Sequence, residues 1–197
     1  MMRLLLASRN AKKITELRRI MTDLDIVGLD DVPDFPETVE SGLTFEENAL
    51  LKARDGARAS GLACVADDSG LAVDALNGMP GVFSARWSGK HGDDLANLQL
   101  LLGQLGDVPD EYRAGGFVCA AALVLPSGEE HVVLGEMRGT IIREPRGTGG
   151  FGYDPIFVPD GHDVTSAELT PEAKDAISHR GQAFRELATL IADLPGV

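Results

Sequence analysis

The apolar run at residues 62–66 most constrains the fold, because two adjacent carboxylates, Asp67 and Asp68, follow it directly. The run is typical of a buried strand, and the turn residues Ser69 and Gly70 predict that the strand ends at the acidic pair. Neighbouring residues of an extended chain point to opposite sides, so we expect one aspartate to face a cleft while hydrogen bonds or a metal ion hold the other. The same residues also fit a plain polar turn, and both interpretations stay open at this point.

The segment after the first predicted strand has the features of an anion-binding helix start. Residues 3–7 predict a short buried strand, after which Ser8 and Asn10 offer helix-capping side chains. Lys12 and Lys13 then lie in the first helical turn, where positive charge is unfavourable to the helix dipole. A bound phosphate would account for these lysines, and the alternative is a pair of solvated side chains.

A second helix carries polar side chains that can share a ligand. Thr44 and Glu47 form a capping-box pattern, which predicts a helix that runs to about Ser60. Asn48 and Lys52 lie one turn apart on one face of this helix, so both can reach a common ligand. The alternative is a solvated face, and for Glu47 the cap alone is a sufficient explanation.

The second half of the chain mixes strands and helices. Residues 117–125 and 131–134 predict a β-hairpin, and residues 139–142 predict a further strand. Helix caps are predicted at Asp93 or Asp94, at Thr170 and at Ser178. This order of elements indicates an α/β fold with a mixed sheet and helices on its faces.

A glycine-rich loop lies between residues 147 and 152 and formally matches Gly-x-Gly-x-x-Gly. The match follows Pro145 and runs into Asp154 and Pro155 instead of a helix, so we reject a dinucleotide site. Glycines beside Phe151 and Tyr153 favour a loop whose backbone approaches a flat ligand and whose ring stacks on it.

Charge and cysteine content exclude several classes of protein. Acidic residues number 31 against 18 basic ones, and the net charge of −13 disfavours binding to nucleic acid or to an anionic membrane. A polyanion would need a local cationic site or a metal ion. The two cysteines, Cys64 and Cys119, lie in apolar runs and predict buried reduced thiols. The amino terminus turns polar too early for a secretory signal, and no stretch is long enough to span a bilayer, so we expect a cytoplasmic protein.

Six motifs, distributed along the whole chain, resemble the inosine/xanthosine triphosphate pyrophosphatase family. They are residues 8–13, residues 40–48 with Lys52, and residues 66–71, 80–86, 149–155 and 178–182. The resemblance implies a single domain over residues 1–197, built on an elongated mixed β-sheet flanked by helices, with two lobes and a central cleft. It also implies a homodimer that uses Mg²⁺ to hydrolyse ITP, dITP and XTP to nucleoside monophosphate and pyrophosphate.

The resemblance also implies roles for individual residues. Asp68 becomes the candidate catalytic base, and Glu40 and Asp68 become the candidate metal ligands. Substrate contacts are implied for Ser8, Arg9, Asn10, Ala11, Lys12, Lys13, Lys52, Ser69, Phe151, Gly152, Tyr153, Asp154, Lys174, His179 and Arg180. Donors from the last three of these would favour a 6-oxo purine over adenine.

Some interpretations remain open beside this one. The chain departs from the family pattern before Asn10, where Ser8 and Arg9 replace the commoner Thr-Gly. Arg86 fits either a polyphosphate contact or a structural salt bridge. Two alternative functions are a related pyrophosphatase for modified pyrimidine or methylated nucleotides, and a non-catalytic nucleotide sensor that binds without turnover.

Overall fold

A computed structural model describes residues 3–22 and 25–194, and the sequence expectations for the first two residues lie outside it. The strands are β1 (Arg3–Leu6), β2 (Asp25–Val27), β3 (Ala63–Val73), β4 (Ala114–Val124), β5 (Glu130–Ile141) and β6 (Phe157–Pro159). The α-helices are α1 (Ala11–Ile20), α2 (Phe45–Ser60), α3 (Asp94–Gln104), α4 (Pro171–Ile177) and α5 (His179–Ala192).

The strands form a six-stranded sheet in the order β2-β1-β3-β4-β5-β6. β1 pairs in parallel with both β2 and β3, whereas β5 and β6 are antiparallel. The sheet is therefore mixed, and the predicted α/β class is confirmed. In the described ranges, no helix combines the length and apolar character that a membrane span requires.

Contacts divide the chain into two compact units. Among the described residues, the first unit takes 3–22, 25–68, 119–135 and 180–194, and the second takes Ser69–Val118 and Glu136–His179. The division falls within β3, β4 and β5, because each of these strands contributes residues to both units. The single domain over residues 1–197 remains a prediction.

The core of the first unit lies on both faces of its strands. Successive strand residues alternate between two buried clusters, as the two-residue period of a β-strand requires. One cluster contains residues of α1 and α5 together with strand residues: Leu4, Leu6, Ala63, Val65, Leu17, Phe184 and Leu187. The other contains residues of α2: Leu5, Cys64, Ala66, Ala49 and Ala53. Thus α1 and α5 cover one face of β1 and β3, and α2 covers the other.

The predicted end of the third strand is wrong. β3 does not stop at a turn after Ala66 but continues through both aspartates and Gly70 as far as Val73. The aspartates stay in the strand because side chains from the helices on either face satisfy their carboxylates. Gly70 is needed for close packing, since a Cβ atom there would lie 2.4 Å from the carbonyl oxygen of Gly81.

Two further sequence predictions need correction. The strands predicted at 131–134 and 139–142 form one strand, β5, in which buried and exposed residues alternate almost throughout. The prediction divided this strand in two because Glu136 and Arg138 are charged, but both side chains lie on its exposed face. Residues 30–36 are rich in proline and aspartate, which predicts a segment without helix, but Leu29–Asp31 forms a short 3-10 helix where this segment begins.

The core of the second unit packs α3 against β3, β4, β5 and the segment around β6. Its buried apolar residues include Leu71, Leu98, Leu101, Leu105, Phe117, Ile141, Tyr153, Ile156 and Phe157. Arg113 lies among them and donates hydrogen bonds to the carbonyl oxygens of Leu105 and Ile141. Leu105 directly follows α3 and Ile141 is the last residue of β5, so the buried guanidinium satisfies acceptors at the ends of regular elements.

Both cysteines are free and buried, as the sequence predicts. Cys64 packs against α2 so closely that a Cβ atom at Gly56 would lie 2.5 Å from its Sγ atom. Burial raises the pKa of the Cys64 thiol from 9.0 to about 12. The unfolded thiol ionises first, so this group stabilises the fold fully below pH 9.0 and loses that contribution as the pH rises towards 12.

We expect the melting temperature to fall as the pH rises from 9 towards 12. When each protein is compared with its own melting temperature at neutral pH, the fall should be smaller in Cys64→Ala than in wild type. Thermal unfolding followed by circular dichroism at several pH values measures both effects. Thiolate absorbance of the native protein, taken as the difference between wild type and variant, should stay low at pH 9. A thiolate signal that rises with a midpoint near pH 9 would show that Cys64 is not shielded from water.

Candidate active site

The two aspartates of β3 lie on opposite faces of the strand. They continue the alternation of the core residues before them, so Asp67 faces α1 and α5 whereas Asp68 faces α2. Both are buried, with 3% of Asp67 and 6% of Asp68 exposed. Ser69 follows them and is half-buried. The prediction that the two carboxylates point to opposite sides of the strand is therefore confirmed, and the prediction that one of them faces a cleft stays a prediction.

Asp67 belongs to a buried network of charges. Its Oδ2 atom lies 2.8 Å from Lys13 Nζ and 3.5 Å from Arg180 Nε. Arg180 also donates from Nη1 to Oε2 of Glu16 at 2.9 Å. Burial by itself would raise the pKa of Asp67, but the charges of Lys13, Arg180 and Lys52 outweigh it and hold that pKa well below its usual range. Asp67 is therefore a fixed negative charge and a poor proton acceptor.

Glu16 is a member of this network that sequence reasoning missed. Only 3% of Glu16 is exposed, although most other residues of α1 are exposed or half-buried. Its Oε1 atom is buried and accepts no hydrogen bond from the residues that the structure describes. In the sequence, Glu16 lies three residues after Lys13 and next to the core residue Leu17, a spacing too common on helices to mark it as a member of this network.

Asp68 has a different environment. Asn48 donates from Nδ2 to Oδ2 of Asp68 at 3.1 Å, and Lys52 Nζ lies 3.8 Å from the other carboxylate oxygen. Burial raises the pKa of Asp68, and the negative charge of Glu40 raises it further, against the opposing effect of Lys52. A buried carboxylate with a raised pKa and a fixed orientation has the properties of a general base.

Lys52 links Asp68 to Glu40. Its Nζ atom lies 2.7 Å from Oε1 of Glu40, so both candidate metal ligands contact one ammonium group. Burial lowers the pKa of Lys52, but Asp67, Asp68 and Glu40 outweigh this effect, and the net result is a raised pKa. Lys52 therefore remains a cation among these carboxylates.

The donor set fits a magnesium ion that also binds phosphate oxygens. Over the described ranges, no group of three or more His, Cys, Asp or Glu residues is arranged to hold a metal ion alone. Mg²⁺ is usually held by one or two carboxylates, with water and substrate phosphates as the other ligands. Glu40 and Asp68 supply that number of hard oxygen donors, and the positive charge of Lys52 lies beside them.

The predicted phosphate loop is held by its own hydrogen bonds. Asn10 caps α1 as predicted, and its Oδ1 atom accepts from the backbone N–H groups of Lys12 at 3.0 Å and Lys13 at 3.2 Å. The backbone N–H of Asn10 donates in turn to Oγ of Ser8 at 3.3 Å. The helix-end donors that sequence reasoning offered to a phosphate are thus partly used, which leaves the lysine side chains as the main cationic groups.

Arg9 contacts another loop. Its Nη2 atom donates to the carbonyl oxygen of Phe35 at 3.0 Å, in the segment that leads to Glu40. Arg9 also lines a cavity of about 430 Å³ between α1 and the β2 region, together with Leu6, Ser8, Ala11, Ile14, Arg18, Ile26, Val27, Gly28, Leu29 and Asp30. Arg9 therefore tethers the loop of Glu40, and its contact with substrate remains a prediction.

In the second unit, the glycine-rich loop is organised by Asp154. Its Oδ2 atom accepts from the backbone N–H of Phe151 at 2.9 Å and from Nζ of Lys174 at 2.7 Å. The same ammonium group lies 5.1 Å from the centroid of the Phe151 ring. Asp154 and Lys174 are buried, whereas Phe151 is half-buried, so Phe151 is the ring of this group with surface left for a ligand.

Two more contacts fix this loop. Gly152 donates its backbone N–H to Oδ2 of Asp94 at 3.0 Å, and Tyr153 donates its hydroxyl to the carbonyl oxygen of Ser84 at 2.7 Å. Burial, followed by the charge of Asp94, raises the pKa of Tyr153. The Tyr153 ring is therefore part of the core, and stacking of the Phe151 ring on a flat ligand stays a prediction.

The motif around the last helix is divided between the units. His179 belongs to the second unit, where its ring stacks on Phe117 with 5.0 Å between centroids. Arg180 belongs to the first unit, where it contacts Asp67 and Glu16. Arg86, in the second unit, lies over the ring of Phe83 at 5.4 Å from its centroid. His179 and Arg180 are thus adjacent in the sequence but contact residues of different units.

Comparisons with known proteins agree along the whole chain. The Ham1 family model matches residues 4–190. The chain is similar to a dITP/XTP pyrophosphatase of Nocardia farcinica, with 68% identity over 98% of this chain and 97% of that protein. It is also similar to a dITP/XTP pyrophosphatase of Streptomyces coelicolor, with 60% identity over the full length of both.

Solved structures agree with this similarity. The nucleoside-triphosphatase or dITP/XTP pyrophosphatase of Mycobacterium abscessus has 60% identity and a TM-score of 0.79, over 98% of this chain and 100% of that one. A HAM1 protein from Coxiella burnetii has 43% identity and a TM-score of 0.86, over 98% of this chain and 100% of that one.

Proposed function

Because this chain belongs to the Ham1 family, we propose that it hydrolyses non-canonical purine nucleoside triphosphates to nucleoside monophosphate and pyrophosphate. The names of its relatives support dITP and XTP as substrates, and ITP carries the same base as dITP. Such an enzyme removes faulty nucleotides from the cellular pool. The observation that carries the proposal is the buried Asp68 carboxylate, held between Asn48 and Lys52 beside Glu40.

The chemistry proposed for Asp68 is general base catalysis. Its carboxylate accepts a proton from a water molecule whose oxygen attacks the α-phosphorus. The bond between the α-phosphorus and the bridging oxygen breaks, and the two outer phosphates leave as pyrophosphate. The hydrogen bond from Asn48 orients Asp68 for this step.

Cationic side chains of the first unit would bind the phosphates. Lys13 and Lys52 supply positive charge beside Asp67 and Asp68, and Lys52 keeps its charge because its pKa is raised. Glu40 and Asp68 would hold Mg²⁺, which, when bound, neutralises charge that develops on the leaving pyrophosphate. The fixed negative charge of Asp67 holds Lys13 and Arg180 in place.

Residues of the second unit would bind the base. Phe151 offers a half-buried ring, and the ammonium group of Lys174 lies beside it. A 6-oxo purine presents an acceptor where adenine presents an amino donor, so a donor-rich site favours hypoxanthine and xanthine. The proposal extends to a cytoplasmic homodimer, as the family resemblance implies, and the free buried thiols fit a reducing compartment.

A panel of nucleotides tests the proposal. With Mg²⁺ we expect dITP, ITP and XTP to yield monophosphate and pyrophosphate faster than dATP and dGTP, and we expect a chelator to abolish the reaction. Preferred turnover of modified pyrimidine or methylated triphosphates would support a related pyrophosphatase instead. Tight binding of dITP without any turnover in the presence of Mg²⁺ would indicate a nucleotide sensor.

A further inference from the structure

The adjacent aspartates at the start of α3, Asp93 and Asp94, accept hydrogen bonds from different parts of the chain. Asp93 caps the helix, because its Oδ1 atom accepts from the backbone N–H of Ala96 at 3.2 Å. Asp94 is the first residue of the helix, and its Oδ2 atom accepts from the backbone N–H of Gly152 at 3.0 Å. The sequence left the cap open between these two residues, and the structure assigns it to Asp93. The carboxylate of Asp94 is thereby available for a contact 58 residues away along the chain.

Gly152 is adapted to this contact by its backbone. Its φ angle is +62°, a left-handed conformation that is unfavourable for an L-residue with a side chain. A Cβ atom at Gly152 would meet nothing within 4 Å, so the glycine is required for the angle and not for space. Glycine therefore allows the chain to turn directly after the N–H group that donates to Asp94.

The amide groups on both sides of the Phe151 Cα atom are therefore held by carboxylates. The N–H of Phe151 itself donates to Asp154 at 2.9 Å, and the N–H of the next residue, Gly152, donates to Asp94 at 3.0 Å. Fixing both peptide planes fixes the backbone angles of Phe151 and thus the direction of its Cα–Cβ bond. Asp154 is balanced by Lys174, and the charge of Asp94 is favoured at the N terminus of α3.

We propose that Asp94 is a positioning residue: by holding the N–H of Gly152, it fixes the ring of Phe151 in the orientation that receives the nucleobase. This inference rests on the proposed function and on base binding by Phe151. Asp94 touches neither the phosphates nor the attacking water in this account. Its loss therefore weakens binding of nucleotides that carry a base and leaves the chemical step unchanged.

The test compares steady-state kinetics of variants at this helix start with dITP and Mg²⁺. We expect Asp94→Ala to raise KM for dITP about tenfold, with kcat within about twofold of wild type, since a charge-assisted hydrogen bond is lost. Asp94→Asn should keep KM within about twofold, because its amide oxygen can still accept from Gly152. Asp94→Glu keeps the negative charge at the helix start but moves the carboxylate by one methylene group, so we expect KM to rise as in Asp94→Ala.

Asp93→Ala is the matched control. Loss of the cap should lower the melting temperature by about 2–4 °C and leave KM unchanged. Inhibition by inorganic tripolyphosphate, which has no base, should be equal in all variants and wild type. A purely structural role for Asp94 would change the melting temperature and the tripolyphosphate inhibition constant together.

The outcomes separate the two hypotheses. If wild type hydrolyses dITP and Asp94→Ala and Asp94→Glu both keep the wild-type KM, the positioning role is wrong and the proposed function stands. The same holds if these variants lower kcat or weaken tripolyphosphate binding as much as they raise KM. If wild type hydrolyses none of the purine triphosphates, the proposed function fails, and the role of Asp94 fails with it.

Discussion

Replacing Asp68 by asparagine is expected to lower kcat for dITP by about 10²-fold or more and to leave KM within a few-fold of wild type. Asparagine keeps the shape of the side chain and can still accept from Asn48, but it lacks the basic oxygen that takes the proton from water. The change therefore affects the chemical step far more than the binding of the nucleotide. Stopped assays of pyrophosphate release over a range of dITP concentrations give both constants.

Asp34→Asn is a suitable control, since it makes the same chemical change on the exposed loop that leads to Glu40. It should leave both constants unchanged. A near-normal kcat in Asp68→Asn would remove Asp68 from the role of base. A rise in KM at unchanged kcat would instead assign it to ground-state binding of substrate or metal.

Arg180→Met is expected to lower the free energy of unfolding by about 3–5 kcal/mol, because it removes the cation that the buried Glu16 contacts and leaves Asp67 its ion pair with Lys13. Arg180 is 4% exposed, and its guanidinium contacts Glu16 at 2.9 Å and Asp67 at 3.5 Å. Methionine fills a similar volume but offers neither charge nor hydrogen bonds. Urea unfolding of wild type and variant measures the difference.

Two further variants make this prediction specific. Arg54→Met removes one side of an exposed ion pair with Glu130 and should cost about 1 kcal/mol or less. Adding Glu16→Leu to Arg180→Met removes the buried carboxylate that has lost its cation. We therefore expect the double variant to recover part of the lost free energy of unfolding. Equal losses in Arg180→Met and Arg54→Met would mean that the buried network contributes no more than a surface pair.

Local sequence signals predicted the helices well. The capping box of Thr44 and Glu47 fixed the start of α2, and Gly61, with a φ angle of +71°, lies at its predicted end. Asn10 and Thr170 cap α1 and α4 as expected. Each of these signals depends on residues within one turn of each other, which the sequence displays directly.

The path of β3 could not be predicted in the same way. Two adjacent aspartates end a strand when their charges are exposed to water, but here Lys13 reaches Asp67 from 54 residues away and Asn48 reaches Asp68 from 20. Without these partners in view, a polar turn was the natural interpretation. The strand continues because the helices on each face carry the neutralising groups.

The candidate site shows the same limit. Motifs found Asp68, Glu40 and Lys52, but the positions of Glu16 and Asp94 depend on contacts over 164 and 58 residues. Neither residue stands out in composition or spacing, since a glutamate on a helix and an aspartate near a helix start are both common. Their importance is visible only where the backbone brings their partners to them.

Hydrolysis of dITP in ¹⁸O-labelled water, with the products analysed by mass spectrometry, tests the central claim most directly. Attack of water on the α-phosphorus puts the labelled oxygen in the nucleoside monophosphate and leaves the pyrophosphate unlabelled. We expect one labelled oxygen in dIMP and pyrophosphate as the first phosphate product. Label in the pyrophosphate, or free orthophosphate released before pyrophosphate, would contradict it.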